Sequence, residues 1–369
     1  MVTENNGSAR NKPRLDYIDW LKGIGILIIM WGHLYESPAK EFTNSFKVPL
    51  FFVLSGVLIG LNLTDDKSID MKKITVKKLK SLMIPYLWFS LFDCIYDMVV
   101  YHQLSTVERI GYATVTGRGL YTLWFLPALF LAVVGFYCIS NMAQKSSIAL
   151  KGRSGKENRN ANAFLIIALL LCLVITCLLN YGFIRLQDAL SGSVYSFVSY
   201  PFLTIFHAMV GLVFTIIGFF LGRYLKKPQF KITLIVGIVA FSLGLILNLY
   251  CKNVDLNMGS LGNLPALFYL TAVLISVGGV LLMSLLPNSK VLSPLVWFGR
   301  NSMILMVTHL PIGVAVATGI LEMILPNPND FGFLFYSYTF VALTICLVVE
   351  YIFVKVINRK FRFLLGHID

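Results

Sequence analysis

Two ionisable residues interrupt an apolar run near the start of the chain. In DWLKGIGILIIMWGHLYE (19–36), Lys22 and His33 stand eleven positions apart, roughly 16 Å along a helix. A second run, WFGRNSMILMVTHLPI (297–312), repeats the arrangement with Arg300 and, nine residues on, His309, about 13 Å deeper at helical rise. Ionisable groups inside apolar spans are costly and mark sites of chemistry. If Lys22 and Arg300 occupy one level, the two histidines meet at one depth. An imidazole titrates near working pH and serves as a general base, and at this depth it could deprotonate a hydroxyl that attacks a thioester. Glu36, three residues beyond His33, falls on the same helical face, where it would orient the ring. His309 would position the reacting group or stabilise a developing oxyanion.

Other chemistry-bearing residues admit two readings each. The basic stretch MKKITVKKLKSLMIPYLW (71–88) holds Lys72, Lys73, Lys77, Lys78 and Lys80. These either set topology and attract anionic head groups or dock a phosphorylated cytosolic substrate. Asp93 and Asp97, on one helical face, either pair with a basic residue or face a wet cavity and contact substrate. Trp124 in LWFLPALF (123–130) is an interfacial anchor or an aromatic face for a sugar ring. Ser55 and Gly56 in VPLFFVLSGVLIG (48–60) let helices approach closely. His207 reads as structural. The six cysteines have no metal-ligand spacing and read as small buried hydrophobes, so no metal is expected.

The elements that must position these groups follow from composition. Only 13% of the 369 residues are charged and 57% are hydrophobic, against about 25% charged in a soluble domain; mean hydropathy is +0.76. The fold class is an all-α integral membrane protein. Apolar runs of bilayer length fall at about 18–35, 48–63, 84–101, 121–140, 163–180, 201–222, 232–250, 263–285, 302–321 and 335–354. Ten spans place both termini on one side. With a cytoplasmic N-terminus, all but six of the 31 Lys and Arg lie inside, the exceptions being Lys40, Lys47, Arg109, Arg118, Arg185 and Lys252. That asymmetry is the positive-inside pattern, so N-in/C-in is expected, and it accounts for the net charge of +13 without nucleic acid. The whole chain, 1–369, reads as one transmembrane domain: an N-terminal tail (1–17), a retained first helix rather than a signal peptide, a flexible cytoplasmic loop (141–162) around QKSSIALKGRSGKENRN, and a cytoplasmic tail (355–369).

DWLKGIGILIIMWGH, PLFFVLSGVLIG, the basic run ending LMIPY, LWFLPAL and FGRNSMILMVTHLPI come in the order seen in the membrane acyltransferase-3 family, which the chain resembles over nearly its whole length. That family includes polysaccharide O-acetyltransferases and fucose-4-O-acetylase-like proteins. The resemblance implies a bundle of about ten helices that takes an acyl group, usually acetyl, from cytosolic acetyl-CoA or another acyl-CoA to a hydroxyl of a cell-envelope glycan or lipid-linked sugar, in the inner or plasma membrane. The family's first-helix motif pairs a basic residue with a catalytic histidine. Those roles carry over to Lys22 and His33, although many members have arginine in place of Lys22. The basic residues before IPY correspond to Lys77, Lys78 and Lys80, implied contacts to the acyl donor; Lys22 and Arg300 are expected to hold the CoA phosphates with them. The chain ends about fifteen residues after its last span, so the expectation is that it completes transfer alone or with a separate partner. Direct transfer and a transient acyl-histidine both fit. The rival readings are a transporter of a small molecule or lipid-linked sugar, which internal repeats would favour, and a non-catalytic assembly subunit.

Overall fold

The computed structural model describes residues 15–63, 69–101, 104–149, 157–190, 192–287, 289–324 and 335–366. In chain order the helices are α1 (Asp16–Leu34), α2 (Pro38–Asn44), α3 (Pro49–Asn62), α4 (Met71–Lys78), α5 (Ile84–Tyr101), α6 (Leu104–Val115), α7 (Phe125–Ala149), α8 (Glu157–Ala189), α9 (Gly192–Tyr224), α10 (Phe230–Asn248), α11 (Pro265–Ser284), α12 (Ser293–Arg300), α13 (Ser302–Thr308), α14 (Ala315–Ile324) and α15 (Phe335–Lys360). A two-stranded antiparallel hairpin, β1 (Val254–Asp255) and β2 (Ser260–Leu261), lies between α10 and α11. Among the described residues nine helical segments are long and apolar enough to cross a membrane. They coincide with nine of the ten expected spans. The tenth is α1, whose Asp16, Asp19 and Lys22 dilute its apolar character. The chain is a multi-span membrane protein, and outward-facing Leu170, Leu178, Ile235 and Val239 on α8 and α10 form the apolar surface that lipid covers.

Lipid tails are as apolar as leucine, so helices in a bilayer associate through close packing rather than hydrophobic burial, and small residues at the seams permit it. Gly56 and Gly60 on α3 meet Gly218 and Gly222 on α9, where a Cβ at any of the four would strike the partner's backbone. The close approach read from Gly56 is therefore present; the Ser55 hydroxyl donates to the Phe51 carbonyl of its own helix at 2.9 Å. A second seam joins α1 to α12: Gly23 abuts the Leu295 carbonyl and Gly299 abuts the Asp19 carbonyl. At this end of the bundle Arg300 Nε lies 3.5 Å from Asp19 Oδ2, Asn358 donates to Asn301 at 2.9 Å, and Gly366 rests on the Lys80 carbonyl. The first and last described segments thus share an end, as an even number of crossings requires, and the basic stretch is there too.

The stretch read as a flexible loop, 141–162, is helical on both flanks: α7 runs to Ala149 and α8 starts at Glu157, while 150–156 lie outside the described residues. Polar residues prolong helices past the apolar core because long side chains there reach water. The N-terminal tail shortens likewise, since α1 starts at Asp16, and the C-terminal tail begins as the last turn of α15. The segment 102–120, between two expected spans, contains α6 over its described part.

Gly218→Val would wedge a branched side chain into the Val53 backbone and separate α3 from α9. The expected loss is at least the roughly 1–3 kcal/mol of an overpacked core, read as a lower thermal midpoint in detergent. Gly182→Ala on α8, which has open space around it, should leave that midpoint near the wild-type value.

Candidate active site

α1 is unbroken from Lys22 to His33, whereas the partner segment is not. Asn301 interrupts it between α12 and α13, and residues His309–Val314 form a wide π-helical turn before α14. Pro311 explains the turn, since proline has no N–H for the carbonyls below it and its ring clashes with a regular turn. Side chains also bond to carbonyls of this segment: Thr122 Oγ1 donates to Met306 O at 2.6 Å and His309 Nδ1 lies 2.7 Å from Leu305 O, which also accepts the His309 backbone N–H. A carbonyl only accepts, so Nδ1 carries the proton and the neutral ring keeps its lone pair on Nε2. Nε2 is buried and has no hydrogen-bond partner among the described residues.

The two histidines meet. Their ring centroids are 5.3 Å apart with the planes inclined at 47°, as the matched depths of Lys22–His33 and Arg300–His309 require. Their settings differ, though. His33 is half-buried and lines a cavity of about 340 Å³; His309 is wholly buried behind it and lines none of that cavity. Glu36 lies past the end of α1, exposed, with its carboxylate bound by Lys40 one turn on. That placement departs from the expected orienting role, because α1 stops at Leu34 and Tyr35 is extended, so the helical spacing that would bring Glu36 beneath His33 does not exist.

The cavity opens at the end of the bundle opposite the basic stretch. Its wall combines His33 with Lys40, Lys47, Tyr121, Trp124 and Asp255. Sequence reasoning assigned Lys47 to an exterior loop and missed it. Lys47 is only 7% exposed, and the backbone between α2 and α3 turns it inward. A Cβ built on Gly32 would lie 3.1 Å from its Nζ, so the ammonium is seated against the α1 backbone one residue before His33. No composition signal distinguishes it from a topological lysine; only the proximity of VPLFF hints at it.

The hairpin closes one side of the cavity and is tied down from four directions. Asn44 donates to Val254 O (3.0 Å), Arg118 to Asn257 O (3.1 Å), Asn180 accepts from Leu261 N (2.9 Å), and His207 Nε2 donates to Leu256 O (2.5 Å). His207 also packs on Trp124, with ring centroids 4.2 Å apart, which bears out its structural reading and fixes the indole at the cavity rather than at the bilayer surface. Burial lowers the Arg118 pKa, opposed by Tyr200 and Asp255. Of the two span carboxylates, Asp97 accepts from Tyr121 on the cavity wall at 3.2 Å. Asp93 is 1% exposed and neither of its oxygens has a hydrogen-bond partner among the described residues. Neither is in an ion pair among those residues. Glu350, on α15, is a further missed acid: wholly buried, it accepts from Thr308, the residue before His309, at 2.5 Å.

At the basic end, Lys22 is half-buried and within electrostatic reach of Lys78, itself beside Lys77. Lys77 and Lys80 are exposed. Arg300 is half-exposed while its partner Asp19 is 3% exposed. His102 and His367 lie outside the described residues, and among those described no cluster of three or more metal-ligating side chains exists.

A family profile described as an acyltransferase domain matches residues 15–351. No curated protein and no solved structure matches the chain. Thr308→Val would strand the Glu350 oxygen that Thr308 now serves, at a cost of about 1–3 kcal/mol, whereas Glu350→Gln keeps an acceptor there. The expected readout is a lower detergent melting point for the valine variant than for the glutamine one.

Proposed function

Because the chain belongs to the membrane acyltransferase-3 family, its profile covering residues 15–351, we propose that it moves an acyl group, acetyl foremost, from cytosolic acyl-CoA to a hydroxyl of a cell-envelope glycan or lipid-linked sugar in the inner or plasma membrane. The observation that carries this reading is the histidine pair, one ring on a cavity wall and the other directly behind it.

His33 is the general base. It takes the proton of the acceptor hydroxyl as that oxygen attacks the thioester carbonyl, an effect worth roughly 10²–10⁴ in rate. His309 is its positioning residue. Its proton is committed to Leu305 O, so Nε2 is left to accept an N–H from His33 after a small ring rotation, the part a carboxylate plays in a Ser-His-Asp triad. The oxyanion role expected of His309 does not suit a nitrogen that has only a lone pair to offer. Lys22, Lys77, Lys78 and Lys80 receive the donor's phosphates as charge-assisted contacts. Arg300 joins them with the guanidinium edge left over from Asp19, while Glu36 has no part. The acceptor enters from the opposite end, where Trp124 and Tyr121 offer aromatic faces and Asn44, Asn257 and Asp255 offer polar groups, a combination suited to a sugar.

Membranes containing the protein, supplied with acetyl-CoA labelled in the acetyl group and an envelope extract as acceptor, test this. Label should leave CoA in wild type and not in His33→Ala, while Lys22→Ala should raise KM for the donor more than it lowers kcat. Thioester untouched by wild type, with acetyl and longer acyl donors alike, would overturn the acyltransferase reading and favour transport of an intact solute.

A further inference from the structure

With His309 committed to positioning, nothing named so far holds the charge that develops on the thioester carbonyl. We infer that Lys47 does so: it is the electrophilic catalytic residue of this site, and its ammonium binds the oxyanion of the tetrahedral intermediate. The inference rests on the acyl-transfer reading above.

Three observations meet at this side chain. First, it is buried to 7% exposure yet makes no ion pair or hydrogen bond with the described residues, although Lys40 and Lys252 nearby are each paired with a glutamate. Asp255 and Glu36 act on it through space, against Lys40, but neither carboxylate contacts it; a buried charge with no direct partner is costly, and a group kept that way is available to a charge that exists only during the reaction. Second, Lys47 and His33 line the same cavity, so a carbonyl held there can face both. Third, Gly32 seats the ammonium: its missing side chain leaves room for Nζ at 3.1 Å from the Cβ position, immediately before the catalytic histidine in sequence. A cation fixed in place before reaction needs no reorganisation when charge appears.

The step balances as follows. The acceptor hydroxyl oxygen forms a C–O bond to the acyl carbon while its proton passes to His33. The carbonyl π pair moves onto oxygen, where the Lys47 ammonium stabilises it. That pair then re-forms C=O, the C–S bond breaks, and the departing thiolate takes the proton from the His33 imidazolium. The products are the ester and CoA thiol, with both side chains as they began.

The test compares wild type, Lys47→Met, Lys47→Arg, Gly32→Ala and His33→Ala in labelled acetyl-CoA turnover with an envelope extract as acceptor, with the melting point of each purified variant. Lys47→Met should lower kcat by about 10²–10³-fold with donor KM within threefold of wild type, and Lys47→Arg should recover part of that loss. Gly32→Ala retains Lys47 but crowds its nitrogen, and should lower kcat by about tenfold or more, in the manner of small misplacements. If Lys47→Met does not accumulate, Gly32→Ala and Lys47→Arg carry the test. Lys47→Met turnover within threefold of wild type overturns the inference, as does a change confined to KM. Arginine and methionine variants equally inactive overturn it as well, since the charge would then not be what matters. Each of these outcomes leaves His33 dependence intact. Absence of turnover in wild type is different, because it removes the acyl-transfer reading itself.

Discussion

The contact on which this architecture depends is the one between the backbones of α1 and α12. Gly23 and Gly299 bring them together so closely that neither tolerates a Cβ, and the Asp19–Arg300 pair closes the same seam. Everything above it is measured from there. α1 climbs as one regular helix to His33, while the partner segment climbs through a break at Asn301 and a π-helical turn. A slip of one residue at the seam would turn each side chain about 100° around its helix and take the two imidazoles out of contact. In a bilayer, where hydrophobic burial cannot choose among registers, interlocking small residues are what specify one.

The second organising fact is the separation of the basic stretch from the histidine cavity. Many cations crowd one end of the bundle, where Lys77 and Lys80 are exposed to water and Lys22 and Lys78 are half-buried. The charges in and around the cavity at the other end are individually placed: Lys40 on Glu36 and Asp255 accepting from Met258 N on its wall, with Asp97 against Tyr121 and Arg118 on the hairpin behind it. Lys47 is the exception to this pairing. Buried polar groups with no partner weaken a fold, and His309 Nε2 is one of them, so the chain forgoes stability there.

Much of this was legible from the residues. The ten apolar runs all became helices, and the depths of Lys22–His33 and Arg300–His309 correctly placed the two rings together, because a regular helix converts sequence distance into height. What the sequence does not display is direction. Lys47 and Lys40 look alike as loop lysines, and only the turn between α2 and α3 sends one inward and leaves the other on Glu36. Glu36 itself was misread for the same reason, since periodicity beyond the end of a helix carries no facing information. Glu350 sits in a span with no basic neighbour, so nothing local marked it as the acceptor for Thr308. The flanks of 141–162 were taken for loop because polar composition at a membrane surface is compatible with either helix or coil.

The cavity also has a distribution along the chain. Its one lining histidine comes from α1, with His309 behind it on the turn after α13; its lysines come from α2 and the α2–α3 turn, its tyrosine and tryptophan from the stretch just before α7, and its hairpin from the stretch after α10. A membrane protein is threaded into the bilayer from its N-terminus as it is made. His33, Lys47 and Trp124 therefore enter before His309, and the two rings cannot meet until the segment that carries His309 has followed. A truncated or stalled chain would hold an open pocket with an unsupported imidazole. The pairing of the two rings is thus completed late in biosynthesis, when most of the helices around it are already made.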